Sequence, residues 1–146
     1  MLRVLVADDD ASVRKLLEVM LEDYEVIFAS DGREALDLIE LSEVDVAVLD
    51  VLMPLIDGFE VLRRLRKAPR TADMPVIMLT ALASEDDHGR AFQGGADAYV
   101  TKPFEPAALM ATIERIRRAS PDERRRNRAD EAETAKLLRQ LDRRFR

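Results

Sequence analysis

The chain alternates between short, continuously apolar runs and longer segments in which apolar residues recur every three or four positions. Continuous runs rich in valine, leucine and isoleucine are typical of strands that are covered on both faces. They predict five strands, at residues 3–7, 25–29, 45–49, 75–80 and 97–101. The other segments have the period of amphipathic helices. They predict helices near residues 11–22, 31–40, 58–67, 84–93 and 105–118.

Polar caps and glycines mark the ends of several helical segments. Ser30 or Asp31 can cap the second helix and Ser84 the fourth, while Gly94 and Gly95 close the fourth helix. Five strand–helix units in succession predict a parallel α/β sheet with right-handed crossovers and helices on both faces. We therefore expect a flavodoxin-like, doubly wound, five-stranded sheet of order 2-1-3-4-5, followed by a C-terminal helical extension.

Charged residues follow three of the predicted strands. Asp8 and Asp9 follow the first strand, Asp50 follows the third, and Lys102 follows the fifth. Ligand sites in open parallel sheets lie outside the carboxyl ends of the strands, so these residues are expected to meet there. Carboxylates this close repel one another by about 4 kcal/mol per pair at ~4 Å in an intermediate dielectric. Lys102 and a Mg²⁺ ion are the candidates for offsetting that repulsion.

The composition narrows the possible function classes. The 146 residues fit one domain and little more, and 47% of them are hydrophobic, which is enough for a proper core. The absence of cysteine excludes disulfides and thiolate metal sites, and it suits the cytoplasm, where we expect the protein to act. No apolar run reaches membrane-spanning length and the N-terminus lacks the form of a signal peptide, so we expect no membrane partner.

Charge divides the chain into two parts. Residues 1–118 hold 14 basic and 23 acidic residues, a net charge of −9, whereas residues 119–146 hold 9 and 6, a net charge of +3. We predict a globular domain at residues 1–119 and a charged helical linker or tail at residues 120–146. An acidic domain argues against direct binding of nucleic acid by the domain itself.

Four segments together resemble the receiver domains of two-component response regulators, over residues 1–118. The first strand with its acidic pair and the fourth strand that ends at Thr80-Ala81 fit that pattern. So do the segment from Leu49 to Gly58, which contains Asp50, and the segment from Gly94 to Phe104, which contains Lys102. Any one of these segments is a weak signal, but four in this order, each at the end of the appropriate strand, are specific.

The resemblance implies a role for each acidic residue. Asp50 is expected to accept a phosphoryl group from a sensor histidine kinase or a phosphotransfer protein. Asp9, Asp50 and the backbone carbonyl of Leu52 would ligate Mg²⁺, and Asp8 would hold a metal-bound water or join the ligands. An ionised carboxylate has no proton to lose, so this chemistry needs no general base.

The resemblance also implies a switch. Thr80 and Lys102 would bind phosphoryl oxygens, and Tyr99 would rotate when Thr80 moves. Phosphorylation would then remodel the face built from the fourth helix, the fifth strand and the fifth helix, which would bind a partner or a second copy. The resemblance suggests a cis peptide bond between Lys102 and Pro103, which proline permits. The protein would be a switch rather than an enzyme, with only self-phosphorylation and self-dephosphorylation chemistry.

Simpler interpretations stand beside these. The acidic triplet after the first strand could be a solvated loop, in which Asp10 caps the first helix. Thr80 could be present for its β-propensity and Tyr99 for edge packing, and His88 is interpreted as a surface residue.

One rival function is a Mg²⁺-dependent phosphatase with an aspartyl nucleophile. Such enzymes typically carry an acid two residues after the nucleophile, where this chain has Leu52. A second rival is an assembly module that is never phosphorylated, which would be expected to lose part of the site.

The tail has its own alternatives. Ser120-Pro121 ends the domain, a charged stretch follows, and a helix is predicted from Glu131 to Arg146. Its apolar face would comprise Leu137, Leu138, Leu141 and Phe145. The helix could be a linker or a short coiled coil that joins two chains, or an extension packed back on the domain. Nucleic-acid binding by the tail is less favoured, because acidic residues interrupt the arginines.

Overall fold

The computed structural model describes residues 1–144, which form five strands and six helices. The strands are β1 (Arg3–Ala7), β2 (Glu25–Ala29), β3 (Val46–Leu49), β4 (Val76–Thr80) and β5 (Ala98–Thr101). The helices are α1 (Ala11–Met20), α2 (Gly32–Leu41), α3 (Gly58–Lys67), α4 (Glu85–Gln93), α5 (Pro106–Arg118) and α6 (Pro121–Arg144). Each predicted strand and helix of the domain is present, with its ends shifted by at most two residues.

The sheet has the predicted order, β2-β1-β3-β4-β5, and all of its strand pairs are parallel. Alternate strand residues pack into two separate cores. Leu5, Leu49 and Met78 contact residues of α2, α3 and α4 on one face, whereas Val6 and Leu79 contact residues of α1 and α5 on the other. Helices therefore cover both faces, which is why the strand sequences are continuously apolar.

The C-terminal helix differs from its prediction. Instead of beginning at Glu131, it begins at Pro121 and includes the charged stretch. A capping box is the reason: the Ser120 hydroxyl accepts a hydrogen bond from the Glu123 N–H at 3.1 Å, and the Ser120 N–H donates to the Glu123 carboxylate at 3.4 Å. Proline at the first helical position adds to this start signal.

The apolar face of α6 is largely exposed. Leu137, Leu138 and Leu141 are each more than half exposed, and Phe145, predicted for the same face, lies outside the described residues. Within residues 1–144, no helix is both long and apolar enough to cross a bilayer. The helix packs against α4. Among the alternatives for the tail, the described backbone therefore fits an extension that is packed back on the domain.

The β3–α3 connection folds tightly against the end of β3. Gly58, the first residue of α3, is buried, and its N–H donates to the Val51 carbonyl at 2.8 Å. A Cβ atom at this position would lie 2.2 Å from the Asp50 carbonyl oxygen and 2.8 Å from the Val51 Cα. Only glycine permits this approach without moving the backbone that carries Asp50.

Replacing Gly58 with alanine is therefore expected to lower the free energy of unfolding by about 1–3 kcal/mol, the usual cost of overpacking. Urea denaturation measures the change. Gly89→Ala is the matched control, because a Cβ atom there meets only the Ala135 Cβ at 3.7 Å, an ordinary contact. In a helix interior this control should leave stability unchanged or raise it by up to about 1 kcal/mol. If Gly58→Ala proved as stable as the parent protein and the control, that result would contradict the close approach of Gly58 to the Asp50 carbonyl.

Candidate functional site

The acidic cluster is built by the register of two central strands. Ala7 of β1 pairs with Leu49 of β3, so the residues that follow, Asp8 and Asp50, emerge side by side. Both carboxylates are nearly buried, at 2% and 6% exposure. With exposed Asp9 they can place one carboxylate oxygen each within 4.8 Å of one another. The structure thus brings together the three predicted acids.

Backbone groups orient both buried carboxylates. The Leu52 N–H donates to Asp50 Oδ1 at 3.1 Å, and the Asp10 N–H donates to Asp8 Oδ1 at 2.9 Å. The side chain of Asp10 in turn accepts the Ser12 N–H and caps α1, as predicted. These bonds leave the opposite oxygen of each buried carboxylate directed toward Lys102.

Lys102 lies between the two buried acids. Its Nζ is 2.7 Å from Asp8 Oδ2 and 2.9 Å from Asp50 Oδ2. The residue reaches this position from the end of β5, where its N–H donates to the Thr80 carbonyl at 2.8 Å. The peptide bond to Pro103 is cis, as expected. One ammonium group therefore offsets the repulsion between Asp8 and Asp50.

Burial and the neighbouring charges shift the pKa values of Asp8 and Lys102. Burial raises the pKa of Asp8, opposed by its hydrogen bond with Lys102. For Lys102, burial alone would lower the pKa, but hydrogen bonds and charge interactions with Asp8 and Asp50 outweigh it and raise the pKa. Asp8 thus resists ionisation chiefly because its carboxylate is desolvated, despite the hydrogen bond with Lys102. A hard divalent cation with oxygen ligands fits that donor set.

Thr80 ends β4, between the strands that carry Asp50 and Lys102. It is fully buried, and its Oγ1 accepts a hydrogen bond from the Leu82 N–H at 3.3 Å. In the described part of the chain, this hydroxyl makes no hydrogen bond to the acids or the lysine. Thr80 is thus adjacent to the cluster, while its hydroxyl contacts its own loop.

Tyr99 is tied to the same loop. Its hydroxyl donates to the Leu82 carbonyl at 2.7 Å, and its half-buried ring lies 3.9 Å from the ring of His88, centroid to centroid. His88, interpreted as a surface residue, is partly buried because its ring lies against that of Tyr99. The helical period indicated this partial burial, because His88 lies one turn before Ala91, the buried residue of α4. Nothing in the sequence indicated the backbone bonds of Leu82.

Burial raises the pKa of Tyr99 to about 12, with the nearby charges of Asp87 and Asp50 adding to the effect. Burial and a hydrogen bond to Glu114 likewise raise the pKa of Tyr24 to about 12. The chain has two tyrosines and no tryptophan, so phenolate absorbance reports on these residues alone.

We expect the Tyr24→Phe variant to titrate near pH 12 when folded and near pH 10 in denaturant. A raised acid pKa favours the protonated phenol in the fold, so this stabilisation is present below pH 10 and is lost as the pH rises through about 12. A folded midpoint near 10 would contradict the buried position of the Tyr99 hydroxyl.

The site and fold match a known family. The profile of the response regulator receiver domain matches residues 4–114 of this sequence. The chain belongs to the response regulator receiver family. Proteins of this family are phosphorylation-dependent signalling switches. The profile match confirms the family predicted from the sequence, and the strand order confirms the predicted fold class.

Curated relatives and solved structures agree with this membership. The chain is 46% identical over 118 residues to "Probable transcriptional regulator ycf27" of Guillardia theta, covering 80% of this chain and 45% of the relative. It is 41% identical over 118 residues to "DNA-binding dual master transcriptional regulator RpaA" of Synechocystis, covering 80% and 49%. The solved structure of chemotaxis protein CheY4 from Vibrio cholerae has a TM-score of 0.75 and 36% identity, covering 80% of this chain and 98% of that one. The receiver spans about half the length of the curated relatives that it matches.

Proposed function

We propose that this receiver acts as a switch by accepting a phosphoryl group on Asp50. The observation that carries the proposal is the nearly buried Asp50 carboxylate, with one oxygen on the Leu52 N–H and the other on the Lys102 ammonium. Phosphoryl transfer depends on positioning and on compensation of charge, and these two contacts support both.

In the proposed reaction, an Asp50 carboxylate oxygen attacks the phosphorus atom of the donor. An oxygen–phosphorus bond forms, the phosphorus–nitrogen bond of a phosphohistidine breaks, and the electron pair returns to the imidazole. The donor is a sensor histidine kinase or a phosphotransfer protein, as family membership implies. Lys102 would exchange a carboxylate partner for a phosphoryl oxygen, and the Thr80 hydroxyl would donate to another.

The residues at the site fit a Mg²⁺ ion. Asp8, Asp9, Asp50 and the backbone carbonyl of Leu52 would hold it, with Asp8 as a direct ligand or through a water. When bound, the ion would supply positive charge between the carboxylates and the incoming phosphoryl group. The convergence of the three carboxylates, with one oxygen each within 4.8 Å of one another, supports this assignment.

The Leu82 backbone supports a route from the phosphoryl site to the surface. Its N–H donates to Thr80 and its carbonyl accepts from Tyr99, so the two proposed switch residues share one loop residue. Movement of Thr80 would displace Tyr99 through Leu82, and it would displace α4 through the contact between Tyr99 and His88.

We propose that residues 1–119 form this switch in the cytoplasm. Its face of α4, β5 and α5 would control a partner, an output domain or a second copy of the chain.

Intact mass after incubation with acetyl phosphate and Mg²⁺ tests the proposal. We expect one phosphoryl adduct that forms with Mg²⁺ and fails to form with EDTA. Steady turnover of an external phosphate ester would instead favour a phosphatase. The position that carries the leaving-group acid in such phosphatases is occupied here by Leu52, which is half-exposed and cannot donate a proton.

Leucine at positions 52 and 82 leads us to expect slow self-dephosphorylation, and an adduct lifetime of only seconds would contradict it.

A further inference from the structure

Helix α6 lies against the face of the receiver formed by α4, β5 and α5. It packs along α4, and its residues Asn127 and Glu131 share a cleft with Tyr99 of β5 and Thr112 of α5. The face that a receiver would offer to a partner is thus partly covered by its own chain.

An ion-pair cluster holds the start of α6. Arg128 is the one buried residue of this helix, at 9% exposure. Its Nη1 lies 3.0 Å from Asp97 Oδ1 and its Nη2 lies 3.1 Å from Asp73 Oδ1. Arg125 adds a second contact to Asp73, at 2.8 Å. Both acids belong to the domain and precede β5 and β4, so α6 is fastened to the end of the sheet opposite the phosphoryl site.

The acceptor for Arg128 is already fixed by the domain. Asp97 Oδ2 accepts hydrogen bonds from the Val76 N–H at 2.8 Å and from Arg66 at 3.0 Å, which leaves Oδ1 for Arg128. Burial lowers the pKa of Arg66 to about 10, opposed by the charge of Asp97. A rigid, nearly buried acid loses little freedom on binding an arginine, which favours specific docking.

The contact between the two helices uses small residues. An added Cβ atom at Gly89 of α4 would lie 3.7 Å from the Ala135 Cβ of α6. Further along, Arg139 of α6 reaches Gln93 of α4 at 3.5 Å. His88, the residue beside Gly89, contacts the Tyr99 ring. Displacement of Tyr99 or α4 therefore alters the surface against which α6 packs.

We propose that α6 is an intrachain ligand of this face and that phosphorylation releases it. While α6 is docked, it excludes a partner or a second copy from the same surface. The release rests on the proposed function, whereas the docking stands without it. By thermodynamic linkage, holding α6 in place must oppose phosphorylation as much as phosphorylation opposes docking.

A cysteine pair tests the docking directly, since the chain has no native cysteine. The 3.7 Å separation at Gly89 and Ala135 falls in the range of disulfide Cβ distances. We expect Gly89→Cys/Ala135→Cys to form an intrachain disulfide rapidly under mild oxidation. The control pair Gly89→Cys/Lys136→Cys should react at least about tenfold more slowly, because adjacent helical residues point about 100° apart. Equal rates for the two pairs would overturn the docking.

Charge reversal separates the role of the ion pairs from that of the packing. Adding Arg128→Glu to the reactive pair should slow the cross-link, since it places a third acid beside Asp97 and Asp73. Arg126→Glu makes the same change at an exposed position of the same helix and should leave the rate unchanged. An unchanged rate in the Arg128→Glu protein would overturn the ion-pair cluster as the docking contact.

Acetyl phosphate tests the release. Phosphorylated protein, verified by intact mass, should cross-link at least about fivefold more slowly, within the usual range of coupling between sites. The oxidised protein should reach a lower yield of the phosphoryl adduct and recover it on reduction. Equal cross-linking with the adduct present would overturn the release alone. Failure to form any adduct would overturn the proposed function together with the release, while the docking result from unphosphorylated protein would stand.

Discussion

An Asp50→Asn receiver is expected to show no phosphoryl adduct after incubation with acetyl phosphate and Mg²⁺. The amide nitrogen and oxygen of asparagine fill almost the same space, but the substitution removes the nucleophilic charge. Asp50 alone among the described acids of the site contacts both the Leu52 N–H and Lys102, so no other carboxylate there is held in its place. Intact mass measures the loss.

Asp37→Asn is the matched control, because Asp37 is an exposed residue of α2 and the chemical change is the same. It should label at the rate of the parent protein. An adduct of unchanged yield in the Asp50→Asn protein would place the acceptor elsewhere and refute the assignment. Folding of that variant is checked by its circular dichroism, so that loss of labelling is not mistaken for loss of structure.

Replacing Lys102 with methionine is expected to slow labelling by about 10²–10³-fold, the usual cost of removing one charged donor from a transition state. The change keeps most of the side-chain volume but removes the ammonium group from between Asp8 and Asp50. Two nearly buried carboxylates then face each other without a cation. Loss of one partner of a fully buried pair costs about 3–5 kcal/mol. Because the lysine retains 17% exposure, we expect a smaller loss of stability, about 1–3 kcal/mol.

Urea denaturation with and without Mg²⁺ separates the two effects. Mg²⁺ should stabilise Lys102→Met more than the parent protein, since a divalent cation replaces the missing charge at the acids. Lys67→Met, at an exposed position of α3, should change neither stability nor labelling.

The raised pKa of Lys102 also means that its stabilisation is present at neutral pH and is lost as the pH rises through that pKa, above 10.5. An alkaline decline of the same size in Lys102→Met would contradict this role.

The sheet and its acidic cluster were predictable because their signals are local. Continuous apolar runs identify buried parallel strands, and charged residues directly after them must lie at one edge of the sheet. The positions of Asp8, Asp50 and Lys102 followed from that rule and from the order of the strands. The bonds of Thr80 and Tyr99 to Leu82 did not, because they depend on backbone orientation in a loop.

The placement of α6 was less predictable for two different reasons. Its start was encoded in the capping box of Ser120 and Glu123, a signal that was present but assigned to the end of the domain. Its docking depends on Arg128 meeting Asp97 and Asp73, which lie 31 and 55 residues away in sequence. Among 23 basic residues, nothing in the sequence distinguishes the one arginine that will be buried.

The 24 residues of α6 give it a length of about 36 Å. Its fastening point, Arg128, lies near the start, so roughly 24 Å of helix extends beyond it. The helix is therefore a lever with a short arm at the ion pairs and a long arm along α4. A tilt of about 10° at Arg128 would carry the far end through roughly 4 Å, so a small rearrangement near Tyr99 would become a displacement of side-chain size at Arg144.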